Sequence, residues 1–236
     1  MSEYISRPFV NYAHRGASEY LPENTFISFY TGVFMKANGI ETDVRLTKDG
    51  VPVLFHDDTL ERVTGESGAV EDYTFAELQK FRVSKNGYVD TIASFEDFLR
   101  HFGFRDLTFA IELKGKGAEI VTADLLRKYN MTDKCVVTSF QMDYLETFAD
   151  YAPEFKIGLL TANPDTAHEL AAMGAWEICP IASLVTPESV NKWHSMGLGV
   201  RAWGVSDEKL MKQVYDSGAD GMTVNFPDKL TEYIQR

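Results

Sequence analysis

No apolar run in this 236-residue chain reaches the roughly 18 residues needed to cross a bilayer, and the opening "MSEYISRPFV" carries Glu3 but no apolar signal-like core. A soluble, cytoplasmic protein is expected. Cysteine is scarce: Cys135 and Cys179 lie far apart in apolar surroundings, which argues against a disulfide framework or a zinc site. They read as two small buried hydrophobes in a reducing compartment. Positive charge is short as well, with 23 Lys plus Arg against 35 Asp plus Glu, a net charge of −12, and no basic cluster. Such a surface repels phosphate backbones, so nucleic acid and stable membrane association are not expected. A local cationic or metal site could still hold one small phosphate. Repeats, low-complexity tracts and linker-like stretches are also missing, so residues 1–236 read as a single domain large enough to bury its own core.

What is present is a rhythm of short β-like runs and helix-like segments. The strand-like runs are "PFVNYA", "GIETDVRL", "VPVLFH", "LTFAIELK", "KCVVTSF", "FKIGLL", "WEICPIA", "LGVRAWGV" and "DGMTVNF". Helices are expected over Thr25 to Ala37, Ser94 to His101, Ala118 to Tyr129, Met142 to Tyr151, Thr166 to Met173, Pro187 to Met196 and Asp207 to Ser217. Asn24 is the candidate cap of the first. Thr186 before Pro187 marks a start, and Gly174, Gly197 and Gly218 mark stops. Strand then helix, repeated, predicts a parallel sheet with crossover helices.

The second and third runs are separated only by "TKDG", too short for a parallel crossover, so they form a hairpin. With Asp49-Gly50 as a two-residue turn, Asp43 faces His56, and Glu41, Asp43 and His56 share one face. A three-residue loop would instead pair Thr42 with His56 and turn the imidazole away. Setting the return strand aside leaves eight parallel strands, which fits an α/β (β/α)8 TIM barrel, with a doubly wound open sheet as runner-up. Residues 57–92 break the rhythm and read as a small insertion with one short helix near Phe75 to Lys80.

A parallel barrel carries its chemistry at the C-terminal ends of its strands. Charged residues fall there at His14-Arg15, at Glu41 and Asp43, at His56-Asp57, and at Glu112 with Lys114. Neither face of a barrel strand welcomes an unpaired charge, so the bland alternative is an ion-pair network involving Arg15 or Arg45. As a set, Glu41, Asp43 and Glu112 are the oxygen ligands suited to one hard divalent cation, Mg²⁺ or Ca²⁺. His14 and His56 suit general acid and base roles, and Arg15 and Lys114 suit a phosphate. Together these describe a metal-assisted phosphodiesterase site. Trp203 and Phe140 line the alcohol side of the pocket or pack the barrel end. His101, His168 and His194, in polar helix-like segments, read as solvated surface groups. Glu19 and Glu23 fall in a loop with no assigned role, and Gly16 lets the backbone turn out of the first strand beneath the substrate.

Four blocks, "AHRGASEYLPENT", "IETDVRLTKDGVPVLFHDDTLERVTG", "FAIELK" and "RAWGVSDEKLMKQVYDSGADGMTVNFPD", resemble in order those of the glycerophosphodiester phosphodiesterase family. The resemblance implies a phospholipase-C-like barrel that hydrolyses glycerophosphodiesters to glycerol 3-phosphate and an alcohol. It implies His14 and His56 as catalytic histidines, Glu41, Asp43 and Glu112 as metal ligands, and Arg15 and Lys114 near the phosphate. By the same analogy the substrate's own glycerol hydroxyl attacks phosphorus, and water opens the resulting cyclic phosphate.

Two departures concern substrate choice more than activity. Val224-Asn225-Phe226-Pro227 stands where the family usually has Thr-Asp before an aromatic and proline, and "RAWGVS" stands where Thr and Asn more often follow Trp. Alternatives on the same barrel are a lyase that stops at the cyclic phosphate, a lysophospholipase D-type activity, or a silent barrel that binds a phosphorylated metabolite.

Overall fold

The structure is a computed structural model, and residue 4 and residues 6–235 are described. Its strands are β1 (Val10–His14), β2 (Gly39–Leu46), β3 (Pro52–Leu54), β4 (Val83–Lys85), β5 (Tyr88–Asp90), β6 (Thr108–Leu113), β7 (Cys135–Ser139), β8 (Lys156–Thr161), β9 (Glu177–Pro180), β10 (Gly199–Val205) and β11 (Gly221–Val224). Strand β1 pairs in parallel with both β2 and β11, so the ring β1-β2-β6-β7-β8-β9-β10-β11 closes and an open doubly wound sheet is ruled out. All nine strand-like runs of the sequence become strands of this sheet, with β3 as the one antiparallel member.

The helices are α1 (Phe26–Phe34), α2 (Glu61–Thr64), α3 (Phe75–Leu78), α4 (Phe95–Phe102), α5 (Ala118–Lys128), α6 (Met142–Tyr151), α7 (Ala167–Ala172), α8 (Pro187–Ser195), α9 (Glu208–Asp216) and α10 (Pro227–Ile234). Helix α4 shows why they form: Ser94 caps it by accepting from the Asp97 amide, and Phe95, Phe98, Leu99 and Phe102 bury one face. The i, i+3, i+4, i+7 spacing puts all four side chains against the barrel, each burial contributing roughly 1.5–3 kcal/mol. Phe98 packs edge-on to Phe29 of α1 and Phe109 of β6, joining consecutive layers of the outer core.

Helix α1 departs from expectation at its start. Its N-cap is Thr25, which accepts from the Ser28 amide, while Asn24 adopts a left-handed backbone (φ 57°) and turns its side chain into the barrel. Helix α10 lies beyond the helices expected from periodicity and closes the chain against β1, where Asn11 Nδ2 donates to Pro227 O.

The β2-β3 hairpin differs in register from the two-residue reading. Val44 pairs with Leu54, Arg45 with Val53 and Leu46 with Pro52, and Thr47 N donates to Val51 O, so Lys48-Asp49-Gly50 form a three-residue loop. Gly50 takes the left-handed backbone (φ 75°) that such loops use at their last position. Continued, this register would turn His56 away from Asp43. It is not continued: β3 ends at Leu54, and Arg45 Nε and Nη2 donate to the His56 carbonyl at 3.0 and 2.9 Å, drawing the chain out of the ladder so that His56 lines the central cavity.

Between β3 and α4 the insertion carries more order than its composition suggested. It contains α2, a 3-10 turn at Val70–Asp72, α3, and a β4-β5 hairpin turning on left-handed Asn86-Gly87, the favoured pair for a type I′ turn. Leu60, Val70, Leu78, Val83 and Ile92 pack with Val53 and Phe55 into a small core separate from the main one.

Candidate active site

Strand register alone assembles most of the expected group. His14 of β1 is the register partner of Glu41 on β2, and Asp43, two residues on, is the partner of Glu112 on β6. Alternation along β2 puts Glu41 and Asp43 on one face. One oxygen from each of Glu41, Asp43 and Glu112 lies within 4.8 Å of the others, and all three residues are buried. A cavity of about 240 Å³ opens here, lined by Glu41 and Glu112 together with His14, His56, Lys114 and Phe140. A larger cavity of about 610 Å³ lies at the other end of the barrel, among the N-terminal ends of the strands. The clustered acid, base and cationic groups sit at the C-terminal mouth, where parallel barrels place their chemistry.

The two histidines are held through the same ring atom by different partners. His14 Nδ1 lies 2.6 Å from Asn225 Oδ1, just after β11, and Asn225 also accepts from Ser18 Oγ at 3.0 Å. His56 Nδ1 lies 2.7 Å from Asp57 Oδ1. In both rings Nε2 is the atom left for a substrate. Burial and the neighbouring Arg15 push the His14 imidazole well below its usual pKa, and burial lowers His56 too, despite the favourable charge of Asp43.

Between them lies a sharp turn. Arg15 has a left-handed backbone (φ 53°), uncommon for a residue with a side chain, and its amide donates to both the carbonyl and Oε2 of Glu41. Gly16 follows at φ 84°, and a Cβ there would meet the Ser28 carbonyl carbon at 2.5 Å and the Phe29 amide at 2.7 Å. Glycine is required here by the close approach of the α1 backbone.

The carboxylates are short of positive charge. Arg15 Nε lies 3.1 Å from Asp43 Oδ2, and Lys114 Nζ lies 2.6 Å from Glu112 Oε1 and 3.6 Å from Asp43 Oδ1. Asp43 Oδ1 is buried and accepts no hydrogen bond. Burial would raise the Asp43 carboxyl, but Arg15, Lys114 and the Asn24 amide hold it low and ionised. Burial and the Asp43 charge then push Glu112 up to about 7 and carry Glu41 well above the usual carboxylate range. Three converging carboxyl groups, two of them reluctant to ionise, with one buried oxygen that accepts no hydrogen bond, fit a hard divalent cation.

Arg15 and Lys114 both line the cavity and serve as counter-charges to the carboxylates. At the rim Phe140 meets Trp203 edge-to-face at 4.9 Å, and Trp203 Nε1 donates to Thr161 O. Arg201 lies on the cavity floor, fully buried, donating to Glu177 at 2.8 Å, Thr223 at 2.8 Å and Cys179 Sγ at 3.2 Å. Cys179 is therefore part of a buried polar network, not only a small hydrophobe. His194 departs from the surface reading in the same way: it is stacked on Tyr4 and lies 2.9 Å from Asp220.

Sequence reasoning passed over three residues that hold the site. Asn24 donates to Asp43 Oδ2 and accepts from Thr42 Oγ1. Glu23 takes Arg15 Nη1 at 2.8 Å, and Arg62 of α2 joins Glu23 to Asp57. "PENT" and "HDDTLER" carry these residues, but partners far apart in sequence leave no periodic signal.

The profile of the glycerophosphoryl diester phosphodiesterase family matches residues 14–229, from the first histidine to α10. A glycerophosphodiester phosphodiesterase of Caldanaerobacter subterraneus subsp. tengcongensis is 29% identical, with 95% of this chain and 97% of that protein covered. One from Bacillus altitudinis is 32% identical over 92% of this chain and 95% of its own. A crystal structure of a putative glycerophosphodiester phosphodiesterase from Galdieria sulphuraria superposes with a TM-score of 0.87 at 25% identity, covering both chains fully. A closed barrel with these carboxylates and histidines at its mouth, and a family profile spanning nearly its whole length, lead to one assignment: the chain belongs to the glycerophosphoryl diester phosphodiesterase family, hydrolases that act on phosphodiesters.

Proposed function

We propose that this enzyme converts glycerophosphodiesters to glycerol 3-phosphate and an alcohol, using His14 and His56 for proton transfer and one divalent cation, Mg²⁺ or Ca²⁺, at Glu41, Asp43 and Glu112. The observation that carries this reading is the register of β1, β2 and β6, which sets His14 beside Glu41 and Asp43 beside Glu112 under one cavity.

The substrate's glycerol hydroxyl attacks phosphorus while one imidazole Nε2 takes its proton. The other histidine, entering the cycle as imidazolium, protonates the departing alcohol oxygen as the P–O bond to it breaks. Water then opens the cyclic phosphate with the two roles reversed, so no proton is left over. An internal nucleophile lowers the barrier by proximity. When bound, the cation neutralises phosphoryl oxygens and holds glycerol hydroxyls. Arg15 and Lys114 add positive charge for the phosphate, and the Phe140–Trp203 pair offers an apolar wall to the alcohol group.

Among the described residues no helix is long and apolar enough to cross a membrane. With a net charge of −12 and two free, buried cysteines, we place the enzyme in the cytoplasm acting on small diesters rather than on nucleic acid or a membrane surface.

A coupled assay for glycerol 3-phosphate across choline, ethanolamine, glycerol and inositol diesters tests the reading, with Mg²⁺ or Ca²⁺ added back after chelation. Release that depends on the cation and falls in His14→Ala and His56→Ala is expected. A cyclic phosphate as the end product by phosphorus NMR, with no glycerol 3-phosphate released, or full activity of either variant, would overturn it.

A further inference from the structure

We propose that Arg62, contributed by the insertion, is a positioning residue that locks the two halves of the active site together. It touches neither histidine. Its guanidinium uses one edge for Glu23, with Nη1 to Oε2 at 2.8 Å and Nη2 to Oε1 at 2.7 Å, and the adjacent edge for Asp57, with Nε to Oδ2 at 2.5 Å and Nη2 to Oδ1 at 3.0 Å.

Each of those carboxylates is already engaged with a site residue. Glu23 Oε1 also takes Arg15 Nη1 at 2.8 Å, and Asp57 Oδ1 lies 2.7 Å from His56 Nδ1. A chain of ion pairs and hydrogen bonds therefore runs Asp43–Arg15–Glu23–Arg62–Asp57–His56, and among the described residues Arg62 is the link in it between the β1 side and the His56 side. Without that link, Glu23 and Asp57 would each keep one partner and a free rotation.

The insertion is built to present this residue. Leu60 is buried in the insertion's own core, and its amide donates to Gly68 O, which fixes the start of the short helix carrying Arg62. Arg62 grips both carboxylates bidentately, four N–H···O bonds from one planar fork, and a lysine ammonium with three donors on one atom cannot reproduce that geometry. The Arg62 side chain is 49% exposed, so its ion pairs contribute little to overall stability. Precise placement is different, since a shift of about 1 Å in a reacting group costs roughly a hundredfold in rate.

This inference rests on the roles given above to His56 and Arg15, and its test separates the two. With sn-glycero-3-phosphocholine as substrate, Arg62→Ala and Arg62→Lys are each expected to lose about 10- to 100-fold in kcat with KM changed less. Both should melt within about 2 °C of the parent, in line with the small worth of an exposed ion pair. Millimolar guanidinium is expected to restore part of the Arg62→Ala rate, and ammonium none. The variants Glu23→Gln and Asp57→Asn, whose carboxylates meet only through Arg62, should together lose at least about threefold less than the product of their separate losses. In an Arg62→Ala background the separate losses should multiply. Arg62→Ala within twofold of the parent, or losses that multiply in both backgrounds, would overturn the positioning role while leaving the two-histidine reading intact. An unimpaired His56→Ala enzyme would overturn both.

Discussion

His14 and Asn225 meet at 2.6 Å across the seam where the barrel closes, β1 on one side and the end of β11 on the other. The amide oxygen holds the ring by Nδ1, and Asn225 is itself fixed by Ser18 Oγ and through its carbonyl by the Glu19 amide. Asn225, in one of the two stretches read from the sequence as departures, thus orients the first histidine. Asn225→Ala is expected to lower kcat about tenfold, less than the 10²- to 10⁴-fold loss of His14→Ala, because the ring remains but is no longer aimed. Steady-state kinetics of the two variants, with circular dichroism to confirm folding, checks this order.

Cation binding should depend on pH through Glu112. Its carboxyl sits at about 7, raised by burial and by the Asp43 charge, and a cation requires the deprotonated form. Affinity for Mg²⁺ or Ca²⁺ therefore falls as pH drops through 7, by at least about tenfold between pH 8 and pH 6, since Glu41, also raised, must ionise as well. Calorimetric titration at the two pH values, in buffers of different ionisation enthalpy, reads the affinity and the released proton. Asp43→Asn should abolish the cation-induced rise in melting temperature at either pH.

Gly16→Ala should damage both stability and activity. The added methyl would meet the backbone of Ser28 and Phe29 in a left-handed conformation that alanine disfavours, and relief requires shifting either α1 or the Arg15 turn. A destabilisation of about 1–3 kcal/mol is expected from the strain alone. Urea unfolding measures it, and a kcat loss exceeding the loss of folded protein would show that the turn, too, has moved.

Phe98→Ala tests the outer core without touching the site. The ring is completely buried between α1 and β6, so its removal leaves a cavity and should cost about 3–5 kcal/mol. A lower denaturation midpoint with kcat retained at low temperature is the expected result.

Much of the site was legible because strands obey a local rule. Glu41 and Asp43 are two apart, as are Glu112 and Lys114, and alternation puts each pair on one face wherever the strand lies. The hairpin shows the limit of such rules. "TKDG" admits two registers, and the loop adopts the one that, continued, would have turned His56 away. The imidazole reaches the cavity because Arg45 captures the His56 carbonyl after the ladder has ended.

By itself the sequence determined the strand–helix alternation, the count that closes as eight parallel strands, and the three carboxylates and His14 at the C-terminal mouth, whereas His56 arrives there through the Arg45 contact. All but His56 follow from periodicity and turn chemistry, which act over a few residues. Tertiary structure alone decided how the charges are held: Asn24 on Asp43, Asn225 on His14, and Arg62 on both Asp57 and Glu23, the latter across 39 residues of chain. Such contacts exist only once barrel closure and the folded insertion bring distant segments within hydrogen-bond reach, where no short-range pattern can record them.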